Sequence, residues 1–360
     1  KKSCSIFREK LMKKIAIIGA GISGLFIANL FKINSNYKIT VYENNSMIDL
    51  EEGYGIQLSV NSVKLLNKIG FDKFQNDKKF NPDKINFYSI KSLNKICDLN
   101  IADFNLEDSK YTTLKRSDLV KFLKTDLENI IKTNHSISNI SQKNQKIQLT
   151  FENNENFECD CLIISDGVFS KSKNLIYKSE AITKYNNTLA IRGILTKNPK
   201  NIDNKNIALF LGSDFHYVIY PVSSNGDLNF IAVMKYPLSK EEQKNRLLFN
   251  EKSFIKNVLE NLPLRNKDLL KDLKELKIFP VFVSNNFYKS QNNIHLIGDA
   301  FFAFPPSFAQ GASQSIEGAY ELFQSIENNT EINFLKNRLN KTKMVNIRSK
   351  FNQFAFHLSN

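Results

Sequence analysis

The sequence is short of cysteine: Cys4, Cys97, Cys159 and Cys161 are few for 360 residues, and reduced cytoplasmic thiols are the default expectation. No second Cys or His pair stands near Cys159-x-Cys161 to complete a zinc site, and no metal is suggested elsewhere. Long apolar runs are missing as well. None approaches the roughly 20 residues that span a bilayer, so no integral membrane segment is expected. The stretch before Met12 (KKSCSIFREKL) has no signal-peptide h-region and carries Glu9, which argues against a secretory or transit sequence and makes Met12 a candidate start. Basic tracts interleaved with aromatics do not occur either. The formal charge is +14, but the lysines are spread among asparagines and isoleucines, which reads as a solvated surface and not as a nucleic-acid interface. A diffuse positive field can still draw anionic substrates or an acidic membrane face, so peripheral membrane contact stays open.

What is present is a chain able to bury a large core, with 42% hydrophobic residues and a length that suggests two domains at roughly 150 residues each. Its organising stretch is Lys14–Glu43. The apolar run Ile15-Ala-Ile-Ile18 reads as a buried parallel strand, Gly19-Ala-Gly21-Ile-Ser-Gly24 as a turn, and Leu25 to Phe31 as a helix. Gly19 would make the turn, Gly21 would let the backbone approach a pyrophosphate, and Gly24 would let the helix pack close to the strand. A second strand, Lys38–Tyr42, ends in Glu43, where a carboxylate can take ribose hydroxyls. A glycine-rich turn alone says little; strand, turn, helix, strand and acid in this order point to a dinucleotide site.

Further along, Gly53–Asn61 is a glycine-containing loop feeding a short helix, and residues 84–101 alternate as strands. Arg116–Lys132 is predicted as one amphipathic helix. Arg116 in its first turn is disfavoured by the helix dipole unless an anion is near, so it is either a phosphate or flavin contact or a surface arginine. Strand-like runs at 136–141, 145–151 and 156–165 follow, the last ending in Asp166-Gly167. Residues 189–235 change to long alternating strands, read as an antiparallel second domain; helical segments over about 240–276 and a returning strand, Leu276–Val283, complete it. Ile294-His-Leu-Ile-Gly298-Asp299 then reads as another buried strand ending in an acidic turn, with a helix through Ile326 after Pro305-Pro306-Ser-Phe-Ala-Gln310-Gly311-Ala312. Ligands in open α/β sheets bind at the carboxyl ends of strands, where these acidic turns lie.

Together these motifs resemble the FAD-dependent aromatic-ring monooxygenases with the p-hydroxybenzoate hydroxylase fold, within them the salicylate hydroxylase and 3-hydroxybenzoate 6-hydroxylase group, over essentially Lys14 to Ser359. The glycine fingerprint resembles the family's FAD adenosine site. Asp160-x-x-Ile163-x-x-Asp166-Gly167-x-x-Ser170 resembles its second motif, and Gly298-Asp299 through Pro306 and Gln310-Gly311 its flavin and ribityl motif. Gly53–Asn61 and Lys115-Arg116-x-Asp118-Leu119 look like supporting flavin contacts. Ala190-Ile-Arg192-Gly193 and His216-Tyr-Val-Ile-Tyr220-Pro221 look like the substrate sheet. The resemblance implies an α/β fold with a Rossmann-like, discontinuous FAD-binding domain (12–180 and 284–330). It also implies an inserted, mainly antiparallel β-sheet substrate domain (181–283) and a C-terminal helix over 331–360.

In that family NAD(P)H reduces FAD, the reduced flavin takes up O2, and a flavin C4a-hydroperoxide hydroxylates an electron-rich ring. The resemblance therefore implies a cytoplasmic flavoprotein, monomer or homodimer, acting on a small aromatic substrate. Glu43 and Arg116 would hold the AMP and pyrophosphate, Asp299 the ribityl chain, and Gln310-Gly311-Ala312 the negative edge of the flavin. His216 would serve as base for a phenol, with Tyr220 sharing the pocket on the same strand face, unless His216 makes only a structural hydrogen bond at a strand edge. Arg192 is a substrate or flavin contact or a plain strand-surface charge, and His295 a packed residue more than an acid. Phe301, Phe302, Phe304 and Phe308 would form an apolar slot.

Several positions depart from the family pattern: Phe301-Phe302 replace its Ala-His, Lys173 its arginine, and Lys115 its histidine. Members usually continue further than Asn360. A second reading is thus an FAD-binding oxidoreductase or a non-catalytic FAD-binding fragment.

Overall fold

The structure is a computed structural model and describes residues 12–33, 36–48, 54–178, 183–197, 199, 202–264, 267–284 and 293–357. The stretch before Met12, with Cys4 and Glu9, lies outside these residues, as do Gly53, residues 358–360 and the Phe308 side chain.

Strand β1 (Lys13–Ile18) leads through the glycine turn into helix α1 (Ile22–Lys32) and strand β2 (Tyr37–Tyr42). Because β1 is buried on both faces, its side chains sort by alternation. Ile15 and Ile17 enter a core under the helices, while Ala16 and Ile18 enter a second core on the opposite face. The chain continues through β3 (Gly55–Leu58), α2 (Val60–Asn67), β4 (Lys79–Phe80), β5 (Lys84–Ser89), β6 (Lys95–Asn100), β7 (Thr112–Lys115) and α3 (Arg116–Lys124).

The predicted helix over Arg116–Lys132 therefore stops at Lys124. Asp126 adopts φ +65°, a left-handed break, and Ile131–Lys132, strand β8, pairs with Val41 and Tyr42 of β2 instead. An apolar stripe kept its helical spacing across a break that sequence periodicity does not register.

Next come β9 (Ile137–Lys143), β10 (Lys146–Phe151), β11 (Asn156–Cys159) and β12 (Cys161–Ile164), with α4 (Lys171–Tyr177) after them. Strands β9 to β11 form an antiparallel meander whose Ile137, Ile147, Leu149 and Phe151 cover the second face of the parallel sheet. The remaining elements are β13 (Thr183–Leu195), β14 (Ile207–Gly212), β15 (Phe215–Pro221), β16 (Leu228–Lys235), α5 (Lys240–Lys244), α6 (Lys252–Glu260), α7 (Asp268–Lys271), β17 (Leu273–Ser284), β18 (Ile294–Leu296), α8 (Gly298–Phe301), α9 (Gly311–Glu327) and α10 (Glu331–Phe356).

The first sheet is parallel, in the order β18-β12-β1-β2-β8. The second runs β17-β13-β16-β15-β14-β5-β6 and is antiparallel except where β14 pairs parallel with β5. The two strands at one edge, β5 and β6, come from residues 84–100, outside the 181–283 segment expected as the substrate domain. One face of this sheet (Leu189, Ile191, Tyr217, Phe230) packs under α6 through Phe254 and Val258. The other face, carrying Ala190 and Arg192 by alternation, turns toward the strand ends of the parallel sheet. Among the described residues no helix is long and apolar enough to cross a membrane.

Candidate functional site

The carboxyl ends of β1, β12 and β18 lie side by side and hold the turns named from the sequence. Gly19 has φ +100°, and a Cβ there would stand 2.6 Å from the Ser165 carbonyl oxygen. A Cβ on Gly24 would stand 2.1 Å from the Gly19 carbonyl oxygen and 2.5 Å from Ser165 Oγ. Both glycines are required by the approach of backbone to backbone. Ser165 closes that contact, its Oγ facing the Ile18 carbonyl at 2.8 Å and the Gly19 carbonyl at 2.9 Å. Gly21 is different in kind: nothing lies within 4 Å of a Cβ built on it, and it faces an open cleft.

That cleft has a volume of about 510 Å³ and lies between the strand ends and the second sheet. One wall carries Gly21, Ser23, Ser165, Gly167 and Asp299, and its floor is made by Pro306, Gly311 and Ala312 at the start of α9. The opposite wall is Ala190 and Arg192 of β13 with Phe279–Phe282 of β17, and Tyr54, Ile56 and Arg116 close one side. A Cβ on Gly311 also meets nothing within 4 Å.

The charges inside are arranged around Asp299. Crowding by the cleft walls raises its carboxyl to about 6, against the pull of Arg116 and Lys173. Asp299 is itself exposed to the open cleft, which moderates the desolvation. Lys173 stands where the family pattern has arginine. It is wholly buried, donates from Nζ to the Ala300 carbonyl at 2.9 Å, and is pushed down to about 8 by that burial. It thereby ties α4 to the turn that carries Asp299. Asp166 accepts from the Ser172 N–H at 3.0 Å, while its other oxygen is buried without a hydrogen-bond partner among the described residues. Glu43 braces the glycine turn, accepting from the Ala20 N–H at 2.9 Å and the Asn45 N–H at 3.0 Å. Gly298 takes φ +59° beside Ser23, and Gln310 occupies the N-cap position of α9 without a side-chain capping bond.

The three residues expected at the chemistry separate. Arg192 lines the cleft, with its guanidinium 5.8 Å from the Tyr54 ring centroid. Tyr220 is buried outside the cleft lining, where burial raises its pKa against the Arg192 charge and the hydrogen bonds of Gln57 and Asn229. His216 is not in the cleft. It lies near the opposite end of β15, 3% exposed, with Nδ1 2.8 Å from Nε2 of His357 at the end of α10. Burial, then the neighbouring imidazole, push it down to about 3. A base placed there would be neutral but out of reach of a ligand in the cleft.

The phenylalanine slot is corrected too: Phe301 and Phe302 are buried in the core beneath the meander, and only Phe304 of the described side chains reaches the cleft. Residues that sequence reasoning passed over include Tyr54, whose hydroxyl donates to the Glu275 carbonyl at 2.7 Å, and the Phe169–Phe282 edge contact at 5.1 Å. Their only signal was the Tyr in the Gly53–Asn61 loop and the aromatic spacing of β17.

Residues 12–330 match the family described as FAD binding domain. Salicylate hydroxylase of Pseudomonas putida is 23% identical over 87% of this chain and 77% of its own length. Chloroplastic zeaxanthin epoxidase of Solanum lycopersicum is 25% identical over 87% of this chain, which spans 48% of that protein. Among solved structures, Klebsiella pneumoniae HpxO complexed with FAD and uric acid superposes with a TM-score of 0.84 at 17% identity, covering 96% of this chain and 89% of that one.

Proposed function

The chain belongs to the FAD binding domain family, and from that premise we propose that it is an FAD- and NAD(P)H-dependent monooxygenase that hydroxylates a small aromatic substrate in the cleft. The observation that carries the reading is the cleft itself, where strand-end glycines, a helix start and an acid–base cluster face an apolar wall. The residues fit the cofactor. Gly21 and Gly311 form a cradle that any Cβ would fill, and the unpaired oxygen of Asp166 lies beside the same turns.

Gly21 and the N-terminus of α1 would receive the pyrophosphate, with Arg116 as counter-charge. Glu43 at the end of β2 would take the adenosine ribose, and Asp299 the ribityl hydroxyls. Gly311 and Ala312 would present backbone N–H groups to the anionic edge of the ring system. When bound, FAD supplies the transfer of electrons from NAD(P)H and the activation of O2.

The remaining work falls to the chain. Phe279, Phe282 and Phe304 exclude water and grip an aromatic ring, and Arg192 stabilises a phenolate or carboxylate that the substrate already carries when it enters. Tyr220, with its pKa raised, stays a neutral phenol and does not act as a base. A cytoplasmic enzyme, monomer or homodimer, belongs to the same proposal.

The salicylate and uric acid in the names of its relatives set the first substrates to try. Substrate-dependent NAD(P)H oxidation by the FAD-loaded protein, with a hydroxylated product, is the expected result. Arg192→Met should raise KM about tenfold or more, and turnover restricted to non-aromatic compounds would reject the reading.

A further inference from the structure

Helix α10 has a buried side and, opposite it, an exposed apolar one. Phe334, Arg338, Thr342, Val345 and Ser349 face the body of the protein. Arg338 anchors that side, donating from Nη2 to the Gln314 carbonyl at 2.7 Å and its Oε1 at 2.9 Å, within 3.5 Å of Glu321. At about 100° per residue, Met344, Ile347, Phe351 and Phe354 fall in one arc of about 80° on the opposite side. They are 54%, 67%, 67% and 65% exposed. Scattered exposed hydrophobics need no explanation; four in register over three turns do.

The edges of that arc are basic. By the same spacing Lys343 and Lys350 flank it on one side, Lys341 and Arg348 on the other. From Ile332 to Phe356 the helix carries six basic residues and no acidic one. Lys341 is partly committed, pairing with Glu317 at 2.6 Å and Glu321 at 3.1 Å, and Asp214 near the helix end lies 3.5 Å from Lys235. The character of the outer rim stays positive, on a chain of net charge +14.

We propose that this face of α10 docks the protein on an anionic lipid surface. Met344, Ile347, Phe351 and Phe354 would sink to the boundary of headgroups and acyl chains, and Arg348 and Lys350 would meet the lipid phosphates. A second copy of the chain fits the apolar arc less well, because two such helices would set like-charged rims against each other. Since no described helix can cross the bilayer, contact is in the plane of the surface. The inference is independent of the flavin chemistry.

Flotation of the full chain with vesicles of phosphatidylcholine, with and without phosphatidylglycerol, tests it. The wild type should bind the anionic vesicles about tenfold or more tightly than the neutral ones, and progressively less as salt is raised from about 0.05 to about 0.5 M. The double variant Phe351→Ser/Phe354→Ser should lose about tenfold or more of that affinity, and Arg348→Glu/Lys350→Glu should lose the preference for anionic lipid. All four residues are exposed, so an unchanged melting temperature certifies the fold. Equal binding to both vesicle types, or unchanged binding by the phenylalanine variant, overturns the proposal. So does a lipid-free dimer that this variant converts to monomer in sedimentation, since that gives the face to a second copy.

Discussion

Gly21→Val places a branched side chain at φ −81° and ψ −175°, extended backbone that valine adopts without strain, and nothing in the protein lies within 4 Å of its Cβ. The fold should therefore tolerate it, with a change in stability within about 0.5 kcal/mol. The side chain instead fills the space where the pyrophosphate would approach. Losing two charge-assisted hydrogen bonds at roughly 1.5–3 kcal/mol each gives about 3–6 kcal/mol, or roughly a hundred- to ten-thousandfold weaker FAD binding.

Gly24→Ala is the matched control. Its Cβ would stand 2.1 Å from a backbone oxygen, so the turn must shift, and overpacking of this kind costs about 1–3 kcal/mol or more. Fluorescence titration of apoprotein with FAD and thermal melting of the same samples separate the two effects. Gly21→Val should melt normally and fail to bind; Gly24→Ala should melt early. Binding by Gly21→Val within about threefold of wild type (well under the 1.4 kcal/mol of a tenfold change) would refute the placement of the cofactor.

Asp299→Ala should weaken FAD binding about ten- to a hundredfold, whereas Asp203→Ala, which removes contacts to Lys205 and Asn206 in a surface turn, should leave it unchanged; equal effects would sink the assignment. Asp299→Asn should stabilise the apoprotein at neutral pH. The native carboxyl is raised to about 6, so the folded state holds a proton that the unfolded chain has released, and stability falls as pH rises from about 4 to 6. Solvent in the cleft reduces the gain to about 1 kcal/mol. Melting curves above pH 6 check it, and a less stable Asn variant contradicts it. His216 behaves oppositely. With its imidazole pushed down to about 3, the unfolded chain takes up the proton first, so stability is lost as pH falls from about 6.5 toward 3. His216→Leu should flatten that acid limb, and superposed limbs would show that the His216–His357 pair is not responsible.

The glycine turn, the acidic strand ends and the alternation of β13 were legible because each is written in contiguous residues whose spacing is set by local geometry. What was not legible depends on distant segments. The expectation for His216 fails because strand periodicity gives its face but not what covers that end of the strand, which is residue 357. Strands β5 and β6 join the second sheet through a parallel pairing with β14 that no local pattern announces. Phe301 and Phe302 read as cleft residues by proximity to Asp299, yet α8 turns them into the core.

The most direct test supplies the FAD-loaded protein with reduced nicotinamide, isotopically labelled dioxygen and a panel of phenols and hydroxylated heteroaromatics, followed by mass spectrometry of the products. At least one ring compound should gain a single labelled oxygen atom as NAD(P)H is consumed. Nicotinamide oxidation that yields only hydrogen peroxide with every aromatic, or product oxygen drawn from water, would contradict it.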